Sequence, residues 1–141
     1  MALSAVFAKP HRFRRVLILN GAEGSDIAET VIRACPSVEF LNICVKDDGI
    51  LKTMGGAFEP RLGYHGCMGR DGVAVMAPNY REIFLDDPET QSAVLKAFAV
   101  GVEGDDPSEW ADHHYSFLHS PNWKLYRIFF EKGLAGLKAL D

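Results

Sequence analysis

Five side chains that can carry chemistry lie close together in the segment GYHGCMGRDG. They are Tyr64, His65, Cys67, Arg70 and Asp71, with Gly66 and Gly69 among them. A cysteine beside a cationic histidine or arginine has a lowered pKa and becomes a nucleophile or a redox thiol. The segment therefore offers Cys67 as a candidate catalytic nucleophile and His65 as its candidate base. Two other interpretations stay open, because such a pair also arises by chance: a loop that contacts a ligand or a partner, and plain structural turns.

A second candidate site is the glycine turn in LILNGAEGSD, which follows a short apolar run. Backbone N–H groups at a helix N-terminus favour anions, and open α/β sheets bind ligands beyond the carboxyl ends of their strands. The G-x-x-G spacing matches neither the dinucleotide fingerprint nor the P-loop, and Glu23 and Asp26 place acids beside the turn. We therefore expect either a site for an anionic or nucleotide-like small ligand or an ordinary strand-to-helix turn. The predicted ligand-binding residues are Asn20, Gly21, Gly24, Ser25, Tyr64 and Arg70.

Residues 15 to 45 resemble, in part, the first motif of class I S-adenosylmethionine-dependent methyltransferases. In VLILNGAEG, Gly24 corresponds to a glycine of that motif, and a second strand in PSVEFLNICV follows at a similar distance. Ile18 and Asn20 stand where the family has an acid and its first glycine, and Cys44 stands where its ribose-binding acid is expected. The resemblance implies a bound S-adenosylmethionine, but with these departures we assign neither the family nor a cofactor.

Histidines and acids are concentrated in SEWADHHYSFLHS, residues 108–120, but their spacing argues against a metal site. Two ligands on one helix face lie three or four residues apart. His113 and His119 are six apart, and His114 and His119 are five apart. Glu109 fits His113 at a spacing of four, yet two or three mixed ligands are too few for a stable site. We therefore predict no metal-binding residues.

The elements that must position these residues are strands in the first half and helices in the second. The apolar run 16–19 predicts a buried strand, and the patterns at 38–45 and 73–77 predict two more. Asp26, with Glu29 three residues on, has the spacing of a capping box for a helix that ends at Pro36. In the second half, an aspartate or serine directly before proline marks three helix starts. The predicted helices cover residues 88–102, 107–118 and 121–139.

This order predicts a single α/β domain over residues 1–141, with a short, mostly parallel sheet of about three strands in two or three layers. We expect a basic N-terminal arm at 1–14 and a strand-turn-helix-strand unit with a Gly-rich loop at 15–78. A helical cap at 79–141 completes the domain. The edges of so small a sheet need covering by the helices or by a second copy of the chain.

Charge is distributed unevenly along the 141 residues. Residues 1–15 carry a net charge of +4, and the whole chain carries −4, so residues 16–141 sum to −8. An acidic body repels phosphate backbones, so we predict no nucleic-acid partner, although the basic arm can touch an anionic partner. No apolar run is long enough for a membrane span, so no membrane partner is predicted. Three scattered cysteines form no disulfide framework, which favours a reducing, cytoplasmic location.

Two functions remain open from the sequence. One is a small α/β domain that binds an anionic or nucleotide-like ligand at the first turn, with the Gly-rich loop over it and with or without catalysis. The alternative is a non-catalytic interaction or oligomerisation module, a homo-oligomer or a partner-binding protein. It would dock through the acidic face and the aromatic residues that gather in the C-terminal helices.

Overall fold

The computed structural model of the chain describes residues 2–51, 53, 66–98 and 120–140. Within these ranges three strands form one parallel sheet: β1 (Arg15–Leu19), β2 (Glu39–Cys44) and β3 (Tyr80–Phe84). Their spatial order is β1-β2-β3, so β2 is the central strand, and its residues 40–44 are all buried. The predicted small α/β fold with a short parallel sheet is therefore confirmed.

Helices lie before, between and after the strands. They are α1 (Ala2–Ala8), α2 (Ser25–Ala34), α3 (Pro88–Phe98) and α4 (Ser120–Lys132), with short 3₁₀ helices at Pro10–Arg12 and Leu134–Leu140. The predicted helix at 107–118 and the predicted extension of α3 to residue 102 lie outside the described residues.

Helices cover both faces of the sheet, so the fold has three layers. Phe40 faces one core, in which α1, α2 and residues 68–75 pack against the sheet. Leu41 and Ile43 face a second core, made with α3, α4 and the C-terminal 3₁₀ helix. This alternation along β2 follows from the two-residue period of a strand. The largest fully buried side chains come from both cores and include Phe40, Ile32, Met68, Leu41, Ile43, Leu125, Phe129 and Leu137.

Of the two aspartates predicted to cap helices in the described residues, one does so and the other does not. Asp87 caps α3 as predicted, since its Oδ2 accepts hydrogen bonds from the Thr90 N–H at 2.9 Å and from Thr90 Oγ1 at 2.7 Å. The predicted capping by Asp26 is wrong, because α2 begins one residue earlier, after Gly24 in extended conformation and without a side-chain cap. Asp26 instead lies in the first turn of α2, where its charge favours the helix dipole.

The third strand does not lie at residues 73–77, where the sequence pattern predicted it. Val75 donates its N–H to the carbonyl of Val73 at 2.6 Å, a local turn that is incompatible with pairing in a ladder. The side chains of Val73 and Val75 are buried in the first core, which accounts for their apolar pattern. The strand that pairs with β2 is instead Tyr80–Phe84, which lies at an edge of the sheet.

The C-terminal segment is two elements and not the one helix predicted at 121–139. Gly133 has a φ of 69°, a left-handed conformation that ends α4 before the 3₁₀ helix begins. The Glu39 carboxylate lies at this break, accepting the Leu134 N–H at 3.0 Å and the Arg15 Nε–H at 2.8 Å. Arg15 also donates to the carbonyl of Phe130 at 2.5 Å. These contacts fasten the end of α4 to the first two strands.

The N-terminal segment, predicted as a basic arm, is partly helical. Leu3 and Val6 are three residues apart on α1 and both are buried in the first core. The basic residues that follow, Lys9, His11, Arg12 and Arg14, are exposed. The segment therefore combines an apolar anchor with a charged, solvated stretch directly before β1.

Candidate functional site at the carboxyl edge of the sheet

The turn after β1 begins with a residue in the left-handed backbone conformation. Asn20 has a φ of 50°, and asparagine is one of the few residues with a side chain that adopts this left-handed conformation readily. Its N–H donates to the carbonyl of Ile43 at 2.9 Å, and its side-chain amide donates to the carboxylate of Asp48. Asp48 follows β2, so this contact ties the carboxyl ends of β1 and β2 together.

Residues 66–72 lie directly on this turn. The Gly69 N–H donates to the carbonyl of Gly21 at 2.8 Å, and the Met68 N–H donates to the carbonyl of Glu23 at 3.0 Å. Gly24 and Cys67 form an antiparallel bridge. The carbonyl groups of the turn are therefore bound by the chain's own backbone.

The start of α2 is held by the same segment. Ser25 donates its N–H to the carbonyl of Gly66 at 3.2 Å and its hydroxyl to the carbonyl of Gly72 at 2.7 Å. The Ser25 side chain thus closes the loop 66–72 from its far end. These contacts place four predicted ligand-binding residues, Asn20, Gly21, Gly24 and Ser25, beneath a segment of the protein itself.

Gly69 allows this close approach. A Cβ at position 69 would lie 2.5 Å from the carbonyl carbon of Asn20 and 2.6 Å from the N of Gly21, closer than real side chains come to backbone. On its other side, the Gly69 carbonyl accepts the Val45 N–H at 2.9 Å. Residue 69 therefore fills the space between the ends of β1 and β2.

The environment of Cys67 is unlike that of an activated thiol. The residue is buried, and its Sγ–H donates to the carbonyl of Gly21 at 3.1 Å. Burial raises the pKa of the Cys67 thiol, against a smaller lowering by backbone hydrogen bonds from Gly69 and Arg70. A raised pKa disfavours the thiolate that a nucleophile requires. The predicted base, His65, and the predicted ligand residue Tyr64 lie outside the described residues.

Arg70 and Asp71 form a two-pronged ion pair. Arg70 Nε donates to Asp71 Oδ1 at 2.8 Å, and Nη2 donates to Oδ2 at 2.7 Å. Asp71 Oδ2 also accepts the Cys67 N–H at 2.8 Å. Partial burial acts to raise the pKa of Asp71, but the hydrogen bonds from Arg70 and Cys67 outweigh it and hold that pKa below its usual range.

A concavity of about 430 Å³ opens beside this ion pair, lined by Lys46, Arg70, Asp71 and Phe84. Phe84 is the last residue of β3, and Lys46 lies two residues beyond the end of β2. The Lys46 Nζ stands 4.6 Å from the centroid of the Phe84 ring, a cation–π contact. Two cations thus border an open hollow at the carboxyl edge, where open parallel sheets bind ligands.

Three aspartates that follow β2 and β3 at this edge of the sheet accept hydrogen bonds from local N–H groups. Asp48 Oδ1 accepts the N–H groups of Ile50 and Leu51 at 2.8 and 2.9 Å. Asp86 Oδ2 accepts the Asp47 N–H at 2.9 Å. Hydrogen bonds from Thr90 lower the pKa of Asp87, which caps α3. These carboxylates stabilise turns and a helix start at this edge.

A buried polar cluster holds residues 66–73 onto the sheet. The Asn42 side-chain amide, fully buried on β2, donates to the Met68 carbonyl at 2.8 Å and to the Tyr80 hydroxyl at 3.2 Å. Tyr80 in turn donates to Glu82 Oε2 at 2.8 Å, and Glu82 accepts the N–H of Val73 at 2.9 Å. Burial raises the pKa of the Tyr80 hydroxyl, so the tyrosine stays protonated and donates throughout the physiological pH range.

Sequence reasoning found one side of the hollow and missed the other. Arg70 was predicted as a ligand residue and lines the hollow, whereas Lys46 and Phe84 were not predicted as site residues. The signal for Lys46 was present, because it is the first charged side chain after the buried strand that ends at Cys44. Polar residues directly after a parallel strand lie at the edge where ligands bind.

Among the described residues, no group of three or more histidine, cysteine, aspartate or glutamate side chains is arranged to hold a metal ion. The histidine-rich segment 108–118 lies outside those residues. No helix in the described ranges has the length and apolar character needed to span a bilayer.

Fold and hollow together define a small three-layer α/β protein with a short parallel sheet and an open hollow at its carboxyl edge. Comparison with family models, with curated proteins and with solved structures gives no match in any of the three.

Proposed function

We propose that this chain is a small α/β ligand-binding domain that holds a small anionic ligand in the hollow between Lys46 and Arg70. The observation that carries the proposal is the pair of cations bordering a hollow at the carboxyl edge of a parallel sheet. The proposed site lies beside β2 and β3, one strand away from the turn that the sequence favoured. The shift follows from residues 66–72, which lie over that turn and bind its carbonyls.

The residues that line the hollow limit the charge and the size of the ligand. Lys46 offers an exposed ammonium, and Arg70 presents a guanidinium oriented by Asp71. Phe84 adds an apolar wall to the hollow. The volume of the hollow is in the usual range for small-molecule sites. The proposed ligand is therefore compact, no larger than about a mononucleotide, and carries a phosphate or a carboxylate.

The proposal includes no catalytic step. The raised pKa of Cys67 gives no support for a nucleophile. The cysteines at 35, 44 and 67 are all free thiols, which supports a reducing compartment such as the cytoplasm.

A thermal-shift titration with pyrophosphate and with adenosine monophosphate tests this proposal. Binding to the folded chain alone stabilises it by about 2.7 kcal/mol when the ligand is at a hundred times its Kd, which raises Tm by several degrees. Lys46→Gln should abolish most of the rise, and Lys96→Gln, an exposed lysine on α3, should keep it. An equal rise in all three proteins, or none at millimolar anion, would refute the site.

A second candidate function, an interaction module, is favoured by the exposed aromatics of α4. Trp123 and Phe130 are 56% and 52% exposed, whereas Tyr126 and Phe129 on the same helix are buried. Light scattering of the wild type and of Trp123→Ala separates this function from the first. A wild-type oligomer that dissociates in the variant supports the module.

A further inference from the structure

A second hollow lies at the opposite, amino edge of the sheet. It has a volume of about 600 Å³, and its lining includes Glu39 at the start of β2, Tyr80 at the start of β3, and Lys138 of the C-terminal 3₁₀ helix. Its apolar walls are Ala77, Pro78, Leu134 and Ala135. Met76, two residues before Pro78, is 98% exposed. The hollow therefore offers apolar contacts to the side chains of a ligand.

Two of the residues that line this hollow, Arg81 and Lys138, are cations. Lys138 is exposed and Arg81 lines the wall, with its Nη1 donating to the carbonyl of Leu137 at 3.0 Å. The backbone of Arg14 lies next to the Glu39 of the lining, since the Glu39 N–H donates to the Arg14 carbonyl at 3.0 Å, and the Arg14 residue is exposed. The one acid in the lining, Glu39, is already paired with Arg15 at 2.8 Å. The amino edge is thus a positively charged face.

The exposed stretch before β1 extends this face. Lys9 and Arg12 are exposed, and Phe7 and Phe13 beside them are 54% and 36% exposed. Arginine and aromatic side chains together are the composition that protein interfaces favour. We propose that the amino-edge hollow and this stretch form a docking surface for an acidic polypeptide segment that also carries apolar side chains.

Charge separation within the molecule explains how an acidic chain can offer this surface. Asp48, Asp86 and Asp87 lie at the carboxyl edge, and β1 alone spans about 16 Å from one edge to the other. That distance exceeds the Debye length of about 8 Å at physiological ionic strength. A short acidic segment at the amino edge is therefore screened from those acids.

The same argument favours a polypeptide over the other polyanions. A nucleic-acid strand or a bilayer extends beyond the patch and meets the acidic body, whose residues 16–141 carry −8. A peptide of about eight to twelve residues is long enough to cover the hollow and the stretch before β1. It is too short to reach the acidic body. The apolar walls also make no favourable contacts with a sugar-phosphate backbone, which is polar.

Fluorescence anisotropy with a labelled synthetic peptide of alternating glutamate and leucine tests the proposal on the full chain. We expect saturable binding that weakens about tenfold or more between low and physiological salt, because exposed ion pairs are screened. The double change Arg14→Glu with Lys138→Glu should weaken binding by a further tenfold or more. The control, Lys96→Glu, changes the same charge on α3 and should leave the affinity within about twofold.

Two further probes use the wild type alone, so they do not depend on the variants folding. These are a single-stranded oligothymidylate and vesicles of phosphatidylserine. Peptide binding that exceeds both supports the proposal. It is overturned if either polyanion binds more tightly than the peptide, if salt has no effect, or if the double variant binds as the wild type does.

Discussion

Gly69 donates its N–H to the carbonyl of Gly21 across 48 residues of sequence, at 2.8 Å. This bond brings the glycine-rich loop and the turn after β1 into one structure. Gly69 therefore lies directly against the strand-to-helix turn.

Gly69→Ala tests how tightly that space is filled. The new methyl group would meet backbone atoms of Asn20 and Gly21 at 2.5 to 2.8 Å, so the segment must shift and its hydrogen bonds weaken. We expect a loss of about 1–3 kcal/mol in the free energy of unfolding, or about 3–10 °C in Tm, by chemical and thermal denaturation. Gly49→Ala is the matched control, since residue 49 is exposed and a methyl group there would have no neighbour within 4 Å. Equal losses in the two variants would contradict the packing.

Cys67 should react slowly with iodoacetamide at neutral pH. Its thiol is buried and bonded to the Gly21 carbonyl, and its pKa is raised by burial, so little thiolate is present. Peptide mapping by mass spectrometry should show alkylation at Cys67 only slowly in the native chain and rapidly after denaturation. Fast native labelling at this residue alone would restore the nucleophile hypothesis.

Tyr126→Phe should flatten the fall in stability at alkaline pH. Burial raises the pKa of the Tyr126 hydroxyl above its ordinary value of about 10. The folded chain then keeps a proton that the unfolded chain releases. The stabilisation is complete below pH 10 and is lost as the pH rises through the folded-state pKa. Urea denaturation should show that the free energy of unfolding falls less between pH 8 and about pH 10.5 in the variant than in the wild type. An equal fall in both proteins would count against a buried hydroxyl.

Asn79→Asp should be among the most damaging changes of a single atom. The Asn79 side-chain amide donates toward three carbonyls, those of Ile32, Cys35 and Val38, at 3.0 to 3.2 Å. A carboxylate there would face three acceptors and cost about 3–5 kcal/mol at neutral pH. Its pKa would be raised in the folded chain, so the loss relative to the wild type should shrink as the pH falls toward 4. Similar denaturation midpoints for both proteins at pH 7 would refute this role.

Local sequence patterns predicted the positions of elements well where a single residue type determines where an element begins or ends. The apolar run before Asn20 and the Asp87-Pro88 start each gave an element near its observed position. The third strand was misplaced, because Val73 and Val75 are buried without belonging to a strand. The choice of β3 instead depends on contacts such as that of Tyr80 with Asn42, 38 residues away, which no local window contains.

The candidate site was predictable only in part, for the same reason. Glycines and the strand-to-helix turn indicated the correct edge of the sheet. They could not show that residues 66–72 bind the turn, since that depends on contacts more than forty residues apart in sequence. The hollow by Lys46 exists only once β2 and β3 are paired and Arg70 is fixed by Asp71.

The order β1-β2-β3 matches the order of the strands along the chain. Each strand can therefore add to the free edge of the one before it as the chain leaves the ribosome, and no strand has to insert between two others. The last described α-helix is fastened to the first strand by Arg15 and Phe130, 115 residues apart. The emerging chain thus builds its sheet step by step but completes its second core only after residues 120–140 have been made.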